Sequence, residues 1–159
     1  RYLLAPRTFA KLVQLAEIGP DATVLDVGCG AGYSTAVLAR LAKRVVALES
    51  DKGLAQQARS LLAEMGASNT VVVEGRLAAG APAEAPFDVI VVNGAVETVA
   101  PGLLEQLKDG GRLASIAVEG PLCRAQVWRR AGKTFNARPA FDAGAAVLPG
   151  FERAAGFVF

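Results

Sequence analysis

The chain has 159 residues, of which 52% are hydrophobic and 20% are charged, and its formal net charge is +2. This composition excludes a disordered tail and supplies enough apolar residues for a folded core. The weak net charge argues against a protein that binds nucleic acid mainly through its phosphates, and no apolar stretch or signal-peptide pattern predicts a membrane or export role, so we expect a cytoplasmic protein.

The residue inventory removes several kinds of active site. The chain contains no histidine, which excludes Ser–His and Cys–His nucleophile pairs and histidine metal ligands. Cys29 and Cys123 are too few for a disulfide framework, and their spacing does not indicate a metal site, so we expect a reducing compartment and no bound metal. Because the first residue is Arg1 rather than Met, we expect the natural N-terminus to lie further upstream.

The hydrophobic pattern alternates between helices and short buried strands. Pro6 suits a first helical turn, and Gly19-Pro20 is a stop signal for that helix. The predicted helices cover residues 6–18, 34–42, 50–65 and 101–108, and Ser50 is the expected N-cap of the third. The predicted strands cover residues 23–27, 44–48, 70–73, 87–92 and 112–118, with a loop at 80–86.

The predicted strands are continuous runs of Val, Ile and Leu, which is typical of a parallel sheet covered on both faces. After Gly120 the pattern changes, and residues 123–130 and 135–141 on either side of Gly132-Lys133 predict an antiparallel hairpin. A last short strand is expected at 157–159. We therefore predict an α/β fold with a mainly parallel twisted sheet, helices on both faces and a C-terminal hairpin, in a single domain of residues 1–159.

A glycine-rich loop joins the first predicted strand to the second predicted helix. It reads Asp26-Val27-Gly28-Cys29-Gly30-Ala31-Gly32-Tyr33-Ser34. Glycine lets the backbone turn sharply and approach a ligand, and the following helix start favours an anion. The spacing G-x-G-x-G differs from the dinucleotide fingerprint G-x-G-x-x-G. It suits a ligand with an amino acid moiety, whose ammonium group Asp26 can meet and whose carboxylate the helix start favours.

Acidic residues follow the next two predicted strands. Glu49 lies where an acid can accept both hydroxyls of a ribose, and its charge excludes a 2′-phosphate. Glu74-Gly75 falls where an adenine would lie. Taken singly, each acid can equally be a solvated or helix-flanking residue, and the glycines a tight turn, so the prediction rests on their occurrence together. The candidate cofactor-binding residues are Asp26, Gly28, Cys29, Gly30, Gly32, Tyr33, Ser34, Glu49, Ser50, Glu74 and Gly75.

The loop motif resembles that of class I S-adenosylmethionine-dependent methyltransferases, and more narrowly the chain resembles protein-L-isoaspartate O-methyltransferases. The narrower similarity lies in residues 3–6, 32–39, 85–92 and 103–113. It implies a Rossmann-like methyltransferase fold, S-adenosylmethionine as cofactor with S-adenosylhomocysteine as product, and carboxyl O-methylation of a protein or peptide. It also implies that the glycine loop and Asp26 hold the methionine end, Glu49 the ribose and Glu74-Gly75 the adenine edge.

Some residues depart from the family pattern on the side of the methyl acceptor. Leu4 stands where the family has Ser or Thr, and residues 93–97 replace an Ala-rich stretch. The family's N-terminal extension, which helps to form the substrate cleft, is not in this sequence. The alternatives are therefore a cofactor-binding module without methyl transfer or a methyltransferase with another substrate, and a nicotinamide oxidoreductase is more distant.

The sequence assigns no catalytic residue. A carboxylate nucleophile with a pKa near ~4 is ionised at neutral pH and needs no general base, which agrees with the lack of histidine. Asp88 and Glu97 remain alternatives as a base, although structural roles are the default for both.

A basic cluster lies in the predicted hairpin, with no acid between Glu119 and Asp142. It consists of Arg124, Arg129, Arg130, Lys133 and Arg138, with Trp128 and Phe135 interleaved. Such a cluster can bind nucleic acid or an acidic peptide, or it can be a solvated hairpin face whose aromatic rings turn inward. The weak net charge favours the solvated face.

Overall fold

The computed structural model describes residues 3–156, so the strand expected at 157–159 lies outside the described residues. The strands are β1 (Thr23–Val27), β2 (Arg44–Glu49), β3 (Thr70–Glu74), β4 (Phe87–Val96), β5 (Leu107–Glu119), β6 (Leu122–Ala131) and β7 (Thr134–Asp142). The helices are α1 (Pro6–Ala16), α2 (Tyr33–Ala39), α3 (Lys52–Glu64) and α4 (Pro101–Leu104), and short 3₁₀ turns occur at Leu77–Ala79 and Pro82–Glu84. None of the helices in this described part is long and apolar enough to cross a membrane.

All seven strands form one sheet in the order β3-β2-β1-β4-β5-β6-β7. The first five strands are parallel, and β6 and β7 complete the sheet as an antiparallel pair. The predicted fold, including the C-terminal hairpin, is confirmed. The chain moves outward from β1 to β3 and then returns to β4 beside β1, so the strand order switches between β1 and β4. In open α/β sheets, ligands bind outside the carboxyl ends of the strands at this switch point.

Both faces of the sheet are covered, as the continuous apolar strands predict. On one face, Leu12 of α1 and Leu38 of α2 are fully buried over Val24. On the other face, Leu77 and Leu103 cover the central strands from the 3₁₀ turn and from α4. Each such leucine contributes about 1.5–3 kcal/mol by burial. These two layers hold the central strands rigidly and therefore fix the positions of their carboxyl ends.

The fourth helix is shorter than predicted. It ends at Leu104 rather than at residue 108, and Leu107 already pairs with Phe87 in the sheet. The prediction fails because leucines at 103, 104 and 107 fit a helical period equally well, while burial of Leu107 beside Phe87 requires an extended chain.

The N-cap of α3 is also shifted by one residue. Asp51, not Ser50, caps the helix, since its carboxylate accepts a hydrogen bond from the backbone N–H of Leu54 at 2.9 Å. Ser50 is instead turned toward Glu49, to which its own N–H donates at 2.8 Å. The predicted cap is therefore wrong by one position, because Ser50 is bound instead by the carboxylate of Glu49 at the end of β2.

Candidate functional site

The glycine loop follows β1 at the switch point of the sheet. Gly28, Gly30 and Gly32 have φ angles of 76°, 57° and 100°, in the left-handed region that L side chains rarely adopt. At Gly32, an added Cβ would also lie 3.2 Å from the Cα of Ala58 in α3. The three predicted glycines are therefore required by the path of the backbone, and the third lets α2 start close against α3.

Asp26 lies beneath this loop and is completely buried. Its carboxylate accepts hydrogen bonds from the hydroxyls of Ser34 and Thr35 at 2.7 and 2.6 Å, and a short one from the side-chain amide of Asn93. Asp26 thus joins β1 to the first turn of α2 and to β4. It lines neither of the cavities described below, so its direct contact with a ligand ammonium group remains a prediction.

Burial is the main influence on the acidity of Asp26. It raises the pKa of this carboxyl group above the ordinary value of 3.8, against the hydrogen bonds from Thr35, Ser34 and Asn93, and the charge of Glu49 acts in the same direction as burial. Burial and the charge of Glu49 therefore favour the protonated form of Asp26, while its three hydrogen bonds favour the ionised form.

Glu49 connects the glycine loop to the start of α3. Its buried carboxylate accepts hydrogen bonds from the backbone N–H groups of Gly30, Ser50 and Asp51 at 2.7, 2.8 and 3.0 Å. Charge-assisted bonds of this kind are stronger than neutral ones. The structure places Glu49 at the predicted strand end, and its contact with a ribose stays a prediction.

Glu74 and Gly75 lie beside Glu49 in the neighbouring strand. Glu74 is paired with Glu49 in the register of β2 and β3, and the N–H of Gly75 donates to the backbone oxygen of Glu49 at 3.1 Å. The side chain of Glu74 forms an ion pair with Arg59 at 2.7 Å. Both residues adjoin the predicted site, but neither lines its cavities.

A cavity of about 160 Å³ opens over the glycine loop. The residues that line it are Leu3, Leu4, Phe9, Gly28, Cys29, Gly30, Ala31, Tyr33, Ser34, Leu54 and Asn93. Five of the predicted residues are among them, namely Gly28, Cys29, Gly30, Tyr33 and Ser34. The sequence does not predict the apolar walls from α1 and α3, because their residues follow the ordinary helical pattern and carry no separate signal.

A second cavity, of about 500 Å³, adjoins the first and shares Leu3, Leu4 and Asn93 with it. Its remaining lining residues are Ala5, Gly94, Gly144, Ala145, Ala146, Val147, Leu148 and Pro149. Asn93 follows the part of β4 that pairs with β1, so the rule that ligands gather at strand ends could have singled it out from the sequence. We call the first space, over the glycine loop, the loop cavity. We call the second space, which residues 144–149 near the end of the chain help to line, the tail cavity.

The charges around the loop cavity favour a cationic ligand. Its described lining residues include no lysine, arginine, aspartate or glutamate, while Asp26 and Glu49 lie buried directly below. In a poorly solvated site, buried negative charge attracts a positive group and repels a phosphate more strongly than in water. The site therefore suits a cation with polar and aromatic parts better than a dinucleotide with two phosphates.

The two acids considered as general bases have structural roles. Asp88 accepts hydrogen bonds from the N–H of Thr23 at 2.8 Å and from Lys108 at 3.1 Å. Partial burial raises the pKa of Asp88, but these two partners outweigh it and hold the pKa below 3.8. The carboxylate of Glu97 accepts a short hydrogen bond from the N–H of Arg153. Neither residue lines the loop cavity or the tail cavity.

The wall of the tail cavity depends on a glycine in β4. A Cβ added at Gly94 would lie 2.5 Å from Cγ of Leu148, whose N–H is bonded to Ala95. We expect Gly94→Ala to lower the free energy of unfolding by about 1–3 kcal/mol, because the added methyl group displaces the buried side chain of Leu148. Urea denaturation followed by circular dichroism measures this change.

Gly144→Ala is the matched control for this substitution. Gly144 lines the same cavity, but nothing lies within 4 Å of an added Cβ there. The control should change the stability by less than about 0.5 kcal/mol. Equal effects of the two substitutions would contradict the proposed packing of Leu148 on Gly94.

The family model and the curated relatives that match this chain belong to the same protein family. A family model described as protein-L-isoaspartate(D-aspartate) O-methyltransferase (PCMT) matches residues 1–147. The chain is 42% identical to a protein-L-isoaspartate O-methyltransferase of Vibrio atlanticus over 108 residues, which are 68% of this chain and 52% of that protein. It is 44% identical to that of Methanoregula boonei over 108 residues, or 68% and 50% of the two chains. The chain spans about half the length of these curated relatives.

Solved structures show the same fold. A protein-L-isoaspartate O-methyltransferase superposes with a TM-score of 0.84 at 24% identity, over 91% of this chain and 47% of the other. A Plasmodium falciparum protein assigned to the same family, in complex with S-adenosyl-L-homocysteine, superposes with a TM-score of 0.76 at 20% identity, over 91% and 74% of the two chains. At these identities the likeness concerns the fold alone.

Proposed function

Because this chain belongs to the protein-L-isoaspartate O-methyltransferase family, we propose that it transfers a methyl group from S-adenosylmethionine to a carboxylate of a protein or peptide. The observation that carries the proposal is the loop cavity, in which a glycine loop lies above the buried carboxylates of Asp26 and Glu49. The structure of a relative with S-adenosyl-L-homocysteine bound supports the same cofactor.

The residues of the loop cavity fit S-adenosylmethionine. In the proposed complex the positive charges of the ligand lie near the two buried acids, and Glu49 accepts the ribose hydroxyls. Apolar contacts come from Phe9 and Leu54, and Glu74 lies toward the adenine edge. The cofactor-binding set is the one predicted from the sequence, namely Asp26, Gly28, Cys29, Gly30, Gly32, Tyr33, Ser34, Glu49, Ser50, Glu74 and Gly75.

When bound, the cofactor would supply a methyl group on a sulfonium: a carboxylate oxygen would attack the methyl carbon, the bond from that carbon to sulfur would break, and neutral S-adenosylhomocysteine would leave. An ionised carboxylate needs no general base, and the structural roles of Asp88 and Glu97 agree with a site that lacks one. What the chain contributes is position, since holding two reactants in line is worth up to about 7–11 kcal/mol. The mainly apolar lining lowers the local polarity, which strengthens the attraction between the opposite charges.

We place the methyl acceptor in the tail cavity, next to the loop cavity. Leu4 and Asn93 line both spaces and therefore mark the point where acceptor and cofactor would meet. A protein substrate is the expected partner, and one sheet through all seven strands supports a single domain over residues 1–159. A cytoplasmic location stays a prediction from the sequence.

Measurements on the wild-type protein and on the variant Leu4→Ser test this proposal. We expect wild type to bind S-adenosylhomocysteine in a calorimeter and to incorporate labelled methyl groups into an isoaspartyl peptide, but not into the same peptide with ordinary aspartate. Leu4→Ser restores a hydroxyl where the two cavities meet, so kcat/KM for the isoaspartyl peptide should rise roughly tenfold, the worth of one hydrogen bond to a charged group.

Leu4→Ala is the control, because it removes the bulk of leucine without adding a hydroxyl group. It should therefore give no such rise in kcat/KM. Binding of S-adenosylhomocysteine without methyl transfer by wild type or by either variant would leave a cofactor-binding module and refute the enzymatic proposal. Failure to bind S-adenosylhomocysteine would refute the cofactor itself.

A further inference from the structure

The sheet divides the basic cluster of the hairpin between its two faces. Arg124 and Arg130 lie on the face away from α1, and both have partners there. Arg124 pairs with Asp142 at 3.4 Å, and Arg130 donates to the backbone oxygen of Leu107 at 2.6 Å and lies over the ring of Phe135. The aromatic rings of Trp128 and Phe135 pack against the core on this face, as the solvated-face interpretation predicts.

The other face gathers a different set of cations. Arg129 and Arg138 of the hairpin join Lys11 of α1 and Arg112 of β5 around a groove of about 350 Å³. The full lining of the groove is Lys11, Gln14, Leu15, Glu17, Arg112, Val127, Arg129, Arg138 and Phe141. Four elements of the fold thus contribute a positive charge to one concave surface, which we call the basic groove.

The two hairpin arginines of the groove are poorly compensated within the described part of the chain. Arg129 lies directly opposite Arg112 in the register of β5 and β6, and like charges in this arrangement are destabilising. Glu17 is the one acid that lines the groove among the described residues, and it approaches Arg112 at 3.5 Å. Arg112 also donates to the backbone oxygens of Ala16 and Glu17 at 3.0 and 2.8 Å, so the uncompensated charges are those of the hairpin. Within residues 3–156, the side chains of Arg129 and Arg138 form no ion pair and no hydrogen bond.

We propose that the basic groove binds an acidic peptide segment of a partner protein. Carboxylate side chains would relieve the repulsion between Arg112 and Arg129, and bidentate pairing with guanidinium groups is the favoured geometry. Three apolar residues, Val127, Leu15 and Phe141, lie among the charged residues of the groove, and the ammonium group of Lys11 is 4.2 Å from the centre of the Phe141 ring. These residues suit aliphatic side chains between the acids.

The distribution of charge favours a peptide over nucleic acid. A nucleic-acid strand needs a track of several phosphate contacts, but Arg124 and Arg130, the other arginines of the hairpin, lie on the opposite face and are already paired. The groove also lies away from the cofactor loop. Arg112 pairs with Val89 near the amino end of β4, whereas Asn93, which follows the part of β4 that pairs with β1, lines the cavities. It is therefore a separate surface, and the proposal does not depend on methyl transfer.

Fluorescence anisotropy with a labelled peptide tests the groove. The peptide alternates glutamate with leucine and contains no aspartate or asparagine, so it is no source of isoaspartate, and no cofactor is added. We expect wild type to bind this peptide but not its glutamine analogue. Arg129→Gln/Arg138→Gln should raise the Kd about tenfold or more, because two close charge pairs are lost.

Arg124→Gln/Lys133→Gln is the matched control, since it removes the same charge from the same hairpin outside the groove. It should change the Kd by less than about twofold, as expected of distant charges screened by salt. Lys11→Gln probes the groove from α1, independently of the hairpin, and should also weaken binding. Equal losses in both double variants, no effect of Lys11→Gln, or equally effective competition by inorganic phosphate or a single-stranded oligonucleotide would overturn the proposal.

Discussion

Replacing Asp26 by asparagine should lower the free energy of unfolding by about 2–3 kcal/mol at neutral pH. The carboxylate accepts hydrogen bonds from Ser34, Thr35 and Asn93, and all of these groups are donors. An amide in its place has one acceptor oxygen and turns an NH₂ group toward donors, so at least one buried partner loses its acceptor. The start of α2 would loosen, and the affinity for S-adenosylhomocysteine should fall about tenfold or more.

The same substitution has a defined dependence on pH. Burial raises the pKa of Asp26 in the folded state above 3.8, its ordinary value. A group with a raised folded pKa contributes stability that is fully present below the unfolded pKa and is lost as the pH rises through the folded pKa. The stability difference between wild type and Asp26→Asn should therefore be largest in acid and should shrink as the pH rises.

Urea denaturation of both proteins across this pH range measures the difference directly. Asp21→Asn is the control, because Asp21 is exposed just before β1 and its substitution should cost less than about 0.5 kcal/mol at every pH. A stability difference that grows as the pH rises would contradict the role given to burial of Asp26.

The sequence predicts the sheet and the glycine loop because their signals are local. Continuous Val, Ile and Leu runs such as the one in β2 can be stable only when both faces are covered, and the structure buries that strand almost completely. Gly28, Gly30 and Gly32 were predicted from spacing, and their positive φ angles supply the physical reason for it. Local patterns of this kind do not depend on which distant residues meet.

The direction of a buried side chain does depend on distant residues. Asp26 is predicted as a ligand contact, yet its partners include Asn93, which is brought to it only by pairing of β1 with β4. In the hairpin, adjacent residues of β6 point to opposite faces, so Arg129 and Arg130 belong to different surfaces. The basic cluster of the sequence is therefore divided in the fold into two sets of cations with different surroundings. Only the register of the strands shows which arginine belongs to which set.

Replacing Glu49 by glutamine should weaken binding of S-adenosylhomocysteine about a hundredfold. The carboxylate holds the N–H groups of Gly30, Ser50 and Asp51, and in the proposed complex it also accepts the ribose hydroxyls. Glutamine offers one acceptor oxygen and presents a donor to the other N–H groups. Loss of one charge-assisted bond costs about 1.5–3 kcal/mol, and misplacement of Gly30 in the loop adds to this. Isothermal titration calorimetry gives the affinity.

Glu64→Gln serves as the control, because Glu64 is an exposed residue at the end of α3 and the same charge is removed there. Its affinity for S-adenosylhomocysteine should stay within about twofold of wild type. Since Glu49 ties the loop to the chain entering α3, Glu49→Gln should also lose stability, and thermal melting without ligand separates the two effects. Normal affinity in Glu49→Gln would mean that the ligand does not lie over the glycine loop, because no ligand placed there could avoid a change at Gly30.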